Sequence, residues 1–103
     1  METETRVYTR YSVLTENLNV SSIIDLCREH KLDCTLYDGL GVFNGGLEDS
    51  LTVVHLAPLE ANVREEVRAL ARDIGVLNKQ KEVWITEETV TLKKLLDNAP
   101  AIG

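Results

Sequence analysis

The chain has 103 residues, 44% of them apolar, and carries seventeen acidic against eleven basic side chains for a net charge of −6. That balance excludes a general binder of nucleic-acid backbones, whose affinity depends on clustered lysine and arginine, and leaves open a protein that offers a negative face to a basic partner. The length fits a single domain over 1–103, with 1–5 and 97–103 expected to fray, which can bury about 65% of its unfolded surface by itself and would gain from self-association.

Residues 1–6 are acidic and polar, unlike a signal peptide, and no apolar run approaches the ~18 residues that span a bilayer, so no membrane insertion and a cytoplasmic location are expected. In that setting Cys27 and Cys34 are expected as reduced thiols. One Trp, one Phe and three Tyr leave the core to Val, Leu and Ile.

Residues 7–14 alternate Val, Tyr and Leu with polar side chains, which predicts a first strand. Residues 19–22 offer N-cap side chains, and Val20, Ile23, Ile24 and Cys27 follow at the spacing of one helical face, predicting a helix over 21–31. A short β-prone run at 34–37 and a buried strand at 51–56 flank a glycine segment. Four of the six glycines (Gly39, Gly41, Gly45 and Gly46) fall within that segment's eight residues. Asn44-Gly45 supplies the positive φ angles of a tight hairpin turn, so the segment predicts a hairpin tip displaying Leu40 and Phe43.

Pro58 to Glu60 is expected to open the second helix, with Leu59, Val63, Val67, Leu70, Ala71, Ile74 and Leu77 as its apolar stripe and Gly75 weakening its last turn. A fourth strand is predicted at 83–86. A short fifth strand at 89–92 could follow a break at Glu87-Glu88.

The order β-α-β-β-α-β is that of the ferredoxin-like split βαβ fold, an α+β arrangement with two helices on one face of an antiparallel sheet. In this order, and in the stretch 41–56 where an aromatic, a glycine and an acidic pair precede a buried strand, the chain resembles the small trimeric proteins typified by PII signalling and CutA proteins. The resemblance implies the fold and a trimer. It carries over no functional residue, because the nucleotide-binding loop sequences of PII proteins and the metal-site pattern of CutA have no counterpart here.

Gly39, Gly41 and Gly45 read G-x-G-x-x-x-G and precede a strand instead of a helix, which excludes a dinucleotide fingerprint. The segment is either a structural hairpin or a loop for a ligand or partner, with Gly41, Phe43, Asn44 and Gly45 as the candidate residues. Cys27, His30 and Cys34 form C-x₂-H-x₃-C, and His55 could complete four zinc-type ligands. Against that, Cys27 continues an apolar stripe, His30 stands at a helix exit, and His55 is in phase with Leu51 and Val53 as a core histidine. Neither a metal nor a cofactor is expected, and no catalytic residue is assigned.

Arg64, Arg68 and Arg72 recur every four residues as a basic stripe on an acidic protein. Pairing of Glu60 with Arg64, with Glu65, Glu66 and Asp73 nearby, would make it a solvated face, while the guanidinium groups also suit a small anion. Glu48 and Asp49 point to opposite faces and read as a soluble turn. If Leu51 and Val53 face the helices, then Tyr8, Tyr37, Val54, Leu56 and Trp84 decorate the other face, an argument for a homo-oligomer whose sheets pack together.

The expected function is therefore a non-enzymatic, self-associating binding or regulatory module, with a small anionic or nucleotide ligand in an intersubunit cleft. An acidic inhibitor or adaptor, viral or host, that docks on a basic protein is the alternative, and a small enzyme using His55 or Cys27 the second alternative.

Overall fold

A computed structural model describes residues 2–96. β-branched and aromatic side chains recurring along the first residues form β1 (Glu2–Glu16), which is followed by α1 (Val20–Glu29), β2 (Thr35–Phe43), β3 (Gly46–Pro58), α2 (Arg64–Leu77) and β4 (Trp84–Leu96). The four strands make one antiparallel sheet in the order β2-β3-β1-β4. This is the ferredoxin-like arrangement that the order of elements predicts.

Register decides which side chains meet the helices. Val13 lies opposite Val53 on one side and Ile85 on the other, and these residues with Tyr11, Leu51 and Ala57 face α1 and α2. Val13, Ile23, Leu51, Val53, Val67, Leu70 and Ile74 are fully buried, each contributing about 1.5–3 kcal/mol of burial. The core is thus aliphatic, as composition requires.

Several expectations are corrected. Residues 2–5, expected to fray, pair with β4, and 97–103 lie outside the described residues. No break occurs at Glu87-Glu88, and the anticipated fifth strand is the continuation of β4. The two carboxylates point to opposite faces, where each meets its own arginine: Glu87 meets Arg64 of α2, and Glu88 meets Arg10 of β1 at 2.8 Å. Repulsion between the neighbours is therefore neutralised on both sides.

The second helix starts at Arg64, not at 58–60, because Pro58 closes β3 opposite Tyr8, a strand end where a missing N–H is tolerated. Leu59 is then exposed in the connecting turn, outside the buried stripe. Ile24, expected on the buried stripe of α1, lies at its exposed rim, while Ile23 and Cys27 are buried.

The glycine segment is a two-residue hairpin, with Asn44 at φ 51° and Gly45 at φ 79°, the pair of positive angles of a type I′ turn. Its arms run further than the predicted 34–37 and 51–56, because pairing continues through the glycines. At Gly41 the ring of Phe43 occupies the space a Cβ would need.

β3 pairs with β1 only from Tyr8 to Glu16, so a β1–β4 ribbon projects at one end of the sheet and the β2–β3 hairpin at the other. The described chain accordingly spans 51 × 29 × 25 Å.

Both helices end alike. After α1, Lys31 adopts φ 56° while its N–H bonds Arg28 O and the Leu32 N–H bonds Cys27 O; after α2, Lys79 adopts φ 54° while its N–H bonds Val76 O and the Gln80 N–H bonds Gly75 O. These are two Schellman turns with lysine at the left-handed position usually held by glycine. Gly75 is buried in the last turn of α2, where an added Cβ would stand 3.2 Å from Val83 Cγ2, so its role is close approach of helix to strand.

Candidate functional site

The Schellman turn after α2 turns Lys79, Gln80 and Lys81 back toward the helix that carries Arg68 and Arg72. Together these residues line a cleft of about 440 Å³ between α2 and the start of β4, with Ala71, Gly75, Val76, Val83 and Ile85 as its apolar floor. Four cationic side chains and no carboxylate line it, although the whole protein carries −6. Arg72, Lys79 and Lys81 make no ion pair among the described residues, and Arg68 shares its charge only with the exposed Glu65 at 3.1 Å. Donors of this kind, unspent on internal partners, suit phosphate or carboxylate.

Gln80 also lines a second cavity, of about 530 Å³, on the far side of the same end of the molecule. Phe43 and Trp84 both line it, together with Leu14, Leu51 and the carboxylate-bearing Glu16, Glu48 and Glu82. The hairpin's Phe43 thus shares a cavity with the protein's one tryptophan, whose Nε1 donates to Glu82 Oε2 at 2.9 Å. Gln80 is fixed between cleft and cavity through Oε1, which accepts from the Thr15 hydroxyl.

The predicted site residues are thus divided. Arg68 and Arg72 belong to the basic cleft; Phe43 belongs to the aromatic cavity, with Gly41 beneath its ring and Asn44 and Gly45 forming the turn beyond it. Arg64 is not paired with Glu60 as its spacing suggests: it forms a two-pronged pair with Glu87 of β4, at 3.0 and 3.1 Å, and lies outside the residues lining the cleft. The β4 carboxylate wins because it presents both oxygens to the guanidinium fork, whereas Glu60 lies in the turn before the helix begins.

Cys27, His30, Cys34 and His55 do not assemble as a metal site. His30 turns to α2, where its Nε2 lies 2.6 Å from Asp73 Oδ2 and its Nδ1 3.4 Å from Glu66 Oε1, and His55 Nδ1 lies 2.8 Å from the carbonyl of Asp33. His55 does share the helix-facing side with Leu51 and Val53, but at its rim instead of in the core. No group of three or more histidine, cysteine or acidic side chains poised for a metal ion occurs among the described residues.

The open face carries Tyr8, Tyr37, Val54, Leu56 and Trp84, as strand parity predicts, with Trp84 at 66% and Tyr37 at 56% exposure. It is not uniformly apolar. Tyr8 and Trp84 lie six register positions apart along β1, about 20 Å, and the Arg10–Glu88 pair stands between them. Arg10 Nε is out of contact with solvent and has no hydrogen-bond partner among the described residues.

Lys79, Gln80 and Lys81 are the residues that sequence reasoning passed over. Two lysines flanking a glutamine just beyond the second apolar stripe were the available signal, since a helix exit folds back on its own last turn.

Neither protein-family models nor curated protein sequences match this chain. Solved structures do. CPII, a nitrogen regulatory PII-like protein from Thiomonas intermedia bound to ADP, AMP and bicarbonate, superposes with a TM-score of 0.60 at 10% identity, over 90% of this chain and 100% of that one. A phage SAM lyase in complex with S-methyl-5'-thioadenosine gives 0.60 at 14% identity, over 85% and 90%, and a GlnK–ATP complex from B. subtilis gives 0.56 at 10% identity, over 82% of each. The PII-type resemblance thus holds at the level of topology. No helix among the described residues is long and apolar enough to cross a membrane.

Proposed function

We propose that the chain is a self-associating binding or regulatory module that takes a small phosphate-bearing ligand of the adenine-nucleotide class in the cleft between α2 and β4. The observation that carries this reading is the gathering of Arg68, Arg72, Lys79 and Lys81 around one cleft of an acidic protein. Electrostatic focusing in such a cleft raises the local concentration of an anion that the rest of the surface repels. The structural neighbours named with ADP, AMP or ATP, and the one with a thioadenosine, support an adenosine-containing ligand over a bare anion.

Self-association is supported by the exposed Tyr37, Leu56 and Trp84 on the open face. A second copy packed there would bring further groups toward the two cavities at the Trp84 end.

The test is native mass spectrometry of protein purified without added ligand, followed by titration with ATP, ADP and AMP. The expected result is an oligomer that binds nucleotide, with affinity at least tenfold weaker in an Arg72→Glu, Lys81→Glu double variant and unchanged in Arg64→Ala. A monomer that binds none of the three overturns the reading.

A second reading rests on the carboxylates of Glu16, Glu48 and Glu82 around Trp84 and Phe43: an acidic adaptor that docks this rim on a basic protein surface. Its signature is association with a basic protein that weakens steeply between low and physiological salt, without any nucleotide dependence.

A further inference from the structure

The Schellman turn after α1 has a chemical consequence. By bonding the Leu32 N–H to the carbonyl of Cys27 at 3.0 Å, it reverses the chain and returns Cys34, just before β2, to the helix turn that holds Cys27. Both thiols are free, Cys27 buried and Cys34 half-buried, and both line one cleft of about 510 Å³ with Val20, Ile24, Leu32 and Leu36. The groups that could have made them part of a metal centre are engaged elsewhere: His30 with Asp73, and His55 with the Asp33 carbonyl.

We infer that Cys27 and Cys34 form an oxidisable dithiol that closes an intramolecular disulfide by exchange with a small-molecule disulfide admitted through this cleft. In the first step the Cys27 thiolate attacks one sulfur of the small disulfide; that S–S bond breaks, and one thiolate leaves and takes a proton from water. In the second step Cys34 gives its proton to solvent and attacks the Cys27 sulfur of the mixed disulfide, expelling the second small thiol. Two protein thiols are oxidised and one small disulfide is reduced to two thiols.

The contact between the two thiols accords with this order of attack. The contact with Cys34 favours the thiolate of Cys27 and outweighs the opposing burial, whereas contact with Cys27, then burial, pushes the Cys34 thiol up. The cross-link would tie the exit of α1 to the entry of β2, the segment whose Asp33 carbonyl holds His55 of β3. This inference stands apart from the nucleotide reading, which uses the opposite helix.

The experiment is incubation of the full chain with oxidised glutathione, followed by intact mass measurement, thiol counting in denaturant and peptide mapping. The expected result is loss of two hydrogens, disappearance of both thiols, a Cys27–Cys34 cross-linked peptide and no retained glutathione. A Cys34→Ser variant should instead stop as a glutathione adduct on Cys27. Stable glutathione adducts on the native chain, a disulfide between two chains, or two thiols that stay reduced while the same protein reacts in urea would each overturn the inference.

Discussion

The side-chain amide of Asn19 donates to the side-chain carbonyl of Asn78 at 3.0 Å, joining the residue that caps the start of α1 to the one that caps the end of α2. Asn78 is buried and spends its own amide on the Thr15 hydroxyl at 3.3 Å, so one side chain links both helices to the end of β1. Replacing Asn78 with Ala leaves these partners without it in a half-buried setting, at a cost of about 1–3 kcal/mol. Urea denaturation should show that loss, with a smaller one for Asn19→Ala and non-additive losses in the double variant.

His30 predicts a pH dependence. Burial is the largest single influence and opposes the charged ring, but the hydrogen bonds and charges of Asp73 and Glu66 together outweigh it, so the pKa lies above the ordinary 6.5. A group whose pKa rises on folding contributes its stability fully below its unfolded value and loses it as pH climbs through the folded one. Stability should therefore fall from pH 6 to pH 8, and His30→Gln should flatten that part of the profile. An unchanged slope in the variant would remove the α1–α2 contact as its source.

Lys31 holds φ 56° in the Schellman turn, a conformation that disfavours any side chain with a Cβ. Lys31→Gly should stabilise the chain by about 0.5–1 kcal/mol, read as a higher melting temperature. The equivalent change at Lys79 should also relieve strain but weaken anion binding, because that side chain lines the basic cleft.

At the hairpin tip Gly45 has open space around it and φ 79°, so the cost of a side chain there is one of backbone alone. Gly45→Val should destabilise by about 1–2 kcal/mol. An unchanged melting temperature would count against the turn.

Trp84 is the protein's one tryptophan and therefore reports on the cavity it shares with Phe43. Phe43→Ala should shift its emission to longer wavelength by admitting water. Gly41→Ala should act in the same direction, because the new Cβ takes the place of the Phe43 ring. Identical spectra would show that the Phe43 ring does not shield Trp84.

Much of this molecule is readable from residue order, because strand parity and helix spacing are local properties. Alternation placed Val53 and Leu51 toward the helices and Trp84 and Tyr37 away from them, and Asn44-Gly45 announced its turn through the φ angles those residues tolerate. The apparent break at Glu87-Glu88 misled because neighbouring like charges look repulsive until each has an arginine on its own face. Pro58 misled because a proline serves a strand end as well as a helix start.

The site was decided by packing between distant segments. Sequence determined that Arg68 and Arg72 share a face, whereas only the fold of α2 onto β4 set Lys79 and Lys81 beside them and drew Arg64 away to Glu87. In the same way the sequence offered Cys27, His30, Cys34 and His55 only as a weak set of zinc-type ligands, and the third dimension turned His30 and His55 to other partners and left the two thiols together. Local preferences fix the direction in which a side chain leaves the backbone; what it meets there depends on which element the hydrophobic core brings across from it.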